Sequence, residues 1–141
     1  MLGEEDLHPG GFHRHPPGRR LPSMMAPTAV LREDGEVELV LGSAGSNRIR
    51  SAILQVLVGV VDRGLAAGPA VEAPRAHFED GIVFTEPGAD ADALEAAGRT
   101  VQRFRAPNVF FGGVQAVQRD PATGRLSGGG DPRRGGTVVA A

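Results

Sequence analysis

Two apolar runs lie between Thr28 and Leu41, separated by Glu33-Asp34-Gly35: Ala29-Val30-Leu31 leads in, and Val37, Leu39 and Leu41 alternate with Glu36 and Glu38 on the way out. Alternation with period two puts one set of side chains on a buried face, and Gly after Asp accepts the positive φ of a tight turn. The pattern therefore predicts a β-hairpin closed by two residues. Gly42-Ser43-Ala44-Gly45-Ser46-Asn47 breaks the second strand, and a long apolar segment follows from Arg48 to Val61. Its polar members Arg48, Ser51, Gln55 and Asp62 fall on one narrow helical stripe, which predicts a helix buried on most sides and ended by Gly64. The Val and Ile content would also suit a core strand; the length of the segment favours helix.

The pattern further predicts strands over Gly81–Glu86, Thr100–Phe104 and Val109–Arg119 and a short helix from Asp90 to Ala97 closed by Gly98. Asp120-Pro121-Ala122-Thr123-Gly124 predicts a turn into Arg125-Leu126-Ser127, and the chain finishes in the irregular run Gly128–Gly136 and a small apolar tail. Residues 1–27, rich in His, Pro, Gly and Arg, read as an extended arm, and residues 28–141 as the folded part of one domain. The order of elements indicates an α+β layer structure with mainly antiparallel pairing. With 141 residues there is material for one core and not two. The 21 Gly and 11 Pro exclude a helical bundle or coiled coil. A net charge of -2 removes the broad positive field that nucleic-acid binding needs. Without cysteine there is no disulfide framework, zinc ribbon or thiol nucleophile. The beginning of the chain has no export signal, and the longest apolar stretch is about half of what a membrane span requires.

By physics alone the most informative place is the junction at Gly45. A glycine turn that opens a helix leaves backbone N–H groups unpaired, backed by the positive end of the helix dipole, and welcomes an anion such as a carboxylate, a phosphate or an acyl-transfer oxyanion. The plainer reading is an N-cap supplied by Ser46 or Asn47. No Lys of a nucleotide P-loop is present. His8, His13 and His15 could grip a metal, but their spacing matches no helix face and a solvated loop is the better expectation. His77 reads as a packed or hydrogen-bonded histidine, Glu4-Glu5-Asp6 as a solvated acidic turn or an ammonium site, and Arg133-Arg134 as a surface or capping pair.

Four stretches in fixed order, Leu21-Pro22-Ser23-Met24-Met25-Ala26-Pro27-Thr28, Gly42-Ser43-Ala44-Gly45-Ser46-Asn47-Arg48-Ile49, Val71-Glu72-Ala73-Pro74-Arg75-Ala76-His77 and Gly130-Asp131-Pro132-Arg133-Arg134-Gly135-Gly136, resemble the small, C-terminal subunit of gamma-glutamyltransferase (glutathione hydrolase) over essentially the whole chain. The resemblance implies part of an αββα N-terminal-nucleophile hydrolase made as a self-cleaving precursor. Its new N-terminal threonine takes a γ-glutamyl group from glutathione or a related amide and passes it to water or an amino acid. It implies an oxyanion hole from the backbone N–H groups of Gly45 and Ser46, Ser23 on the substrate carboxylate, and Asp6 paired with its α-ammonium. Met24 stands where the family has a second serine, leaving room for other amides as in the acylase-like members. Thr28, Thr85, Thr100, Thr123 and Thr137 lie in the wrong contexts for the nucleophile, so the expectation is a fragment inactive alone. Its missing partner would be the upstream part of the same precursor. The expectation includes no cofactor, no metal and no nucleic acid, and a periplasmic or extracellular location. The alternative is a non-catalytic α+β module that binds a carboxylate or phosphate at the Gly45 loop.

Overall fold

The computed structural model describes residues 7–11 and 13–139. Strands β1 (Thr28–Leu31) and β2 (Val37–Ala44) form the expected antiparallel hairpin. Its turn is longer than two residues: the N–H of Arg32 donates to the carbonyl of Glu36 (2.9 Å), that of Gly35 to the carbonyl of Arg32 (2.9 Å), and Gly35 takes φ +84°. This is the three-residue loop in which a turn is followed by a left-handed glycine, the next commonest solution after the two-residue turn. Alternation holds along β2, with Leu39 and Leu41 buried and Val40 exposed. The strand continues through Gly42 to Ala44, because pairing with β6 (Gly113–Arg119) carries it past the glycine. β7 (Leu126–Gly130) completes a four-stranded antiparallel sheet in the order β1-β2-β6-β7.

One face of this sheet is covered by α1 (Arg48–Leu57), extended by a π turn over Val58–Asp62, and by α2 (Ala67–Glu72). Leu39, Leu41, Val114 and Ala116 of the strands meet Ile49, Ala52, Val56 and Val60 of the long helical segment and Ala67 and Val71 of α2, all buried. Apart from the exposed Asp62 at its end, the polar stripe of the helical segment does not face solvent. Arg50, Leu54 and Val61 do, whereas Ser51 and Gln55 turn toward β3 (Ala76–Glu79), where Gln55 donates to the Ala76 carbonyl and accepts its N–H, both at 2.9 Å. β3 pairs antiparallel with β4 (Ile82–Thr85); β5 (Thr100–Arg103) joins β4 in parallel, because α3 (Ala91–Ala96) provides the crossover that parallel strands require. Asp90 caps α3 by accepting the Ala93 N–H at 3.1 Å. The strand expected from Val109 begins at Gly113 instead: Val109–Phe111 is a 3-10 turn, and Gly112, at φ +77°, separates the two.

Among the described residues the opposite face of the main sheet is largely open, with Val138 of the C-terminal tail lying against Gly128. Ala29, Val40, Val117 and Gly128 form one cross-strand row on it, with Val40 and Val117 about half exposed, and Leu31 and Val138 lie exposed nearby. Among the described residues no helix is long and apolar enough to cross a membrane.

Candidate functional site

At the end of β2 the chain bends into α1 through Gly45 (φ +139°) and Ser46 (φ +53°). A serine in the left-handed region is strained and marks a turn held by its surroundings. The carbonyls of Gly45 and Ser46 accept the first helical N–H groups, those of Arg48 (3.1 Å) and Ile49 (3.0 Å). The N–H groups of Gly45 and Ser46 themselves have no hydrogen-bond acceptor among the described residues. The expected side-chain cap is not formed: Asn47 makes no capping bond, and the Ser46 hydroxyl donates instead to Met24 Sδ (3.8 Å). Close packing fixes the bend, since a Cβ on Gly45 would lie 2.7 Å from the Cα of Gly112. The two N–H groups therefore sit on a turn beside a cavity of about 340 Å³ lined by Gly45, Ser46, Arg48, Val109, Phe110 and Arg134. Such a turn can hold a carboxylate or stabilise an oxyanion.

The arm brings Met24 against Ser46 and leaves Ser23 exposed beside it. Ser23 Oγ accepts the Met25 N–H at 3.1 Å, which leaves its own proton free to donate outward. Asp6 lies outside the described residues. His8 and His15 meet at 2.6 Å, but no group of three metal-ligating side chains forms among the described residues.

Behind the turn stands a polar network in which Asn47 Nδ2 donates to Glu79 Oε1 (3.0 Å) and Arg48 pairs with Glu79 Oε2 (3.1 Å). The Arg48 guanidinium lies 4.3 Å over the Phe110 ring. His77 is buried, as anticipated, with Nδ1 at 2.7 Å from Ser51 Oγ. Burial lowers its pKa below 6.5; Glu79 pulls it up, and Arg48 and Arg50 push it down. As pH falls the unfolded histidine is protonated first, so folding stability drops as pH falls through and below about 6.5. Urea midpoints measured across that range should show the drop, and His77→Gln should flatten it.

A second network was misread in the sequence. Arg133 is no surface residue: its side chain is 1% exposed and donates to Glu86 Oε1 (2.7 Å), to Glu86 Oε2, and to the Val71 (3.1 Å) and Ala73 (2.9 Å) carbonyls. Asp131, itself buried, accepts Arg75 at 2.6 Å and the N–H groups of Val114 (2.8 Å) and Arg133 (3.0 Å). Arg75 also donates to the Phe111 carbonyl (3.2 Å), so the cluster grips the chain on both sides of Gly112, the residue against which Gly45 packs. Burial depresses the Arg75 pKa against the pull of Asp131. At Arg133 burial acts in the same direction, yet Glu86 and Asp131 outweigh it and raise the pKa. Two stretches far apart in sequence, around Arg75 and Arg133, thus meet in one buried quartet with Glu86 and Asp131. Two arginines placed beside Asp131 and within a Pro-rich motif were the available clue.

The layered α+β architecture, with an antiparallel main sheet carrying its long helix on one face, is that of the N-terminal-nucleophile hydrolases. It superposes on the gamma-glutamyltranspeptidase of Pseudomonas nitroreducens complexed with L-DON (TM-score 0.73, 33% identity, 90% of this chain and 67% of that one). It also superposes on the Bacillus anthracis transpeptidase enzyme CapD (TM-score 0.73, 33% identity, 89% and 75%). The family described as Gamma-glutamyltranspeptidase matches residues 3–141, and the chain belongs to it. In sequence it is 39% identical over 138 residues to the Acylase ACY 1 proenzyme of Pseudomonas sp. strain SE83 (96% of this chain). It is 30% identical over 139 residues to the Glutathione hydrolase proenzyme of Bacillus subtilis strain 168 (98% of this chain). The chain spans 24% of the length of each of these two relatives.

Proposed function

We propose that this chain supplies the oxyanion-binding turn and part of the substrate pocket of an acyl-transfer enzyme acting on γ-glutamyl amides such as glutathione, with the nucleophilic threonine lying outside it. The observation that carries this reading is the pair of N–H groups at Gly45 and Ser46, which have no acceptor among the described residues and lie beside a cavity next to Met24 and Ser23. In the reaction the threonine hydroxyl attacks the amide carbonyl carbon, and the carbonyl electron pair moves onto oxygen, where the two N–H groups stabilise it. The amine then leaves with a proton, and water or an amine acceptor releases the acyl group. Ser23 holds the substrate carboxylate and Asp6 its ammonium. The thioether of Met24 cannot donate a second hydrogen bond to that carboxylate, which widens the pocket's tolerance toward other amides; one relative carries the name acylase. By itself the chain is inactive, and its open sheet face, with Val40 and Val117, is covered by the rest of the precursor.

Ser23→Ala, in a precursor that includes the nucleophile, should raise KM for a γ-glutamyl anilide about ten- to a hundredfold with kcat nearly unchanged, since one hydrogen bond to a charged group is worth about 1.5–3 kcal/mol. An equal loss in kcat would contradict a role confined to ground-state binding. Tight binding of glutamate by the 141-residue chain alone, measured by calorimetry, would favour the non-catalytic module instead.

A further inference from the structure

We infer that Glu79 is a positioning residue that fixes the Gly45–Ser46 turn by holding, with one carboxylate oxygen each, the two residues that follow it. The inference rests on the oxyanion reading of that turn and names the group that keeps its geometry. Packing against Gly112 fixes one side of the turn; on the other its carbonyls are tied to the first residues of α1, and its two N–H groups have no acceptor among the described residues. On that second side its orientation follows that of Asn47 and Arg48. Glu79 reaches both from another layer of the fold, Oε1 taking the Asn47 amide at 3.0 Å and Oε2 the Arg48 guanidinium at 3.1 Å. Both Arg48 and Glu79 side chains are about three-quarters buried, so the pair is shielded from screening in a way that surface pairs are not. Phe110 closes the arrangement, lying under Arg48 at 4.3 Å and edge-on to His77 at 6.0 Å.

His77 stands behind Glu79 on the same face of β3. Its Nε2 is buried, lacks a hydrogen-bond partner among the described residues and lies 3.9 Å from Glu79 Oε2. Ser51 Oγ holds Nδ1 at 2.7 Å, so Nε2 is the ring atom on the carboxylate's side. The charged groups that act on His77 are Glu79 on its own strand and Arg48 and Arg50 from α1. The ring thus packs behind the carboxylate that holds both the amide and the guanidinium.

The test is nuclear magnetic resonance of the ¹⁵N-labelled 141-residue chain. The Gly45 and Ser46 amides should show order parameters of about 0.85, like those of the sheet, falling below about 0.6 in Glu79→Ala, while Val114 in the core stays unchanged. Glu79→Gln, which can still accept from Asn47, should restore most of the order. Unchanged order parameters in a folded Glu79→Ala, or order lost in Glu79→Gln as fully as in Glu79→Ala, would overturn the inference. Whether the turn serves an oxyanion is decided separately, by turnover in Gly45 variants of the completed enzyme, so the two ideas fail independently.

Discussion

Replacing Asp131 with alanine should destabilise the fold by about 3–5 kcal/mol, the cost of removing one partner from a buried ion pair. The carboxylate accepts four hydrogen bonds, from the Arg75 and Arg133 side chains and from the N–H groups of Val114 and Arg133; alanine leaves two buried guanidiniums sharing Glu86 and two donors unmet. Against a domain stability of 5–15 kcal/mol, that removes much of the margin. Asp131→Asn, which keeps the shape and one acceptor, should fall between. Urea denaturation followed by circular dichroism measures both, and an alanine variant within about 1 kcal/mol of the parent would contradict the assignment. The same carboxylate sets an acid limit. Burial alone would raise its pKa, but the Val114 N–H, the Arg75 charge and the Arg133 N–H outweigh burial and hold it below 3.8. The folded pKa is depressed, so the stabilisation is intact above about pH 4 and is lost as pH falls through the folded value.

Gly45→Ala should lower kcat on the order of a hundredfold in an enzyme completed by its nucleophile, with a much smaller change in KM. The added Cβ would meet the Gly112 Cα at 2.7 Å, and φ +139° is a backbone conformation that L side chains rarely adopt, so the bend must move and carry both N–H groups away from the developing oxyanion. Gly45→Pro is a poorer probe, because proline demands φ near −65° and would refold the bend while deleting the N–H. Ser46→Gly is the informative control. It keeps the N–H and relieves the left-handed φ of +53°, so activity should stay within about threefold of the parent. Parallel kcat losses in Gly45→Ala and Ser46→Gly would show that the serine side chain, and not the backbone, does the work.

The parts of the fold written in local pattern were legible. Period-two alternation around Asp34-Gly35 gave the hairpin, and the long apolar segment gave α1. What escaped depends on packing between distant segments. β7 was invisible because Gly128-Gly129-Gly130 has the composition of a loop; Gly129 is glycine because a Cβ there would lie 2.7 Å from the Ala67 carbonyl oxygen, so α2 can rest directly on the strand. α2 has no capping side chain and only six residues, too little for a periodic signal. The stripe of Ser51 and Gln55 correctly marked one face of α1, but only the fold shows that His77 and Ala76, and not water, lie against it. Arg133 was misjudged because its carboxylate partner Glu86 stands 47 residues away. At the candidate site, the Gly45 turn was read from the glycine that opens the helix and Ser46's role only from the family resemblance, whereas Glu79, which holds Asn47 and Arg48, comes from another layer and carries no local signature.

The most direct test is release of nitroanilide from a γ-glutamyl anilide by the purified 141-residue chain, with and without the Gly45→Ala change. The account predicts no release above buffer for either protein, because the attacking hydroxyl comes from another part of the precursor. Steady catalytic turnover by the unaltered chain that disappears with Gly45→Ala would contradict it, since the chain would then hold a nucleophile of its own.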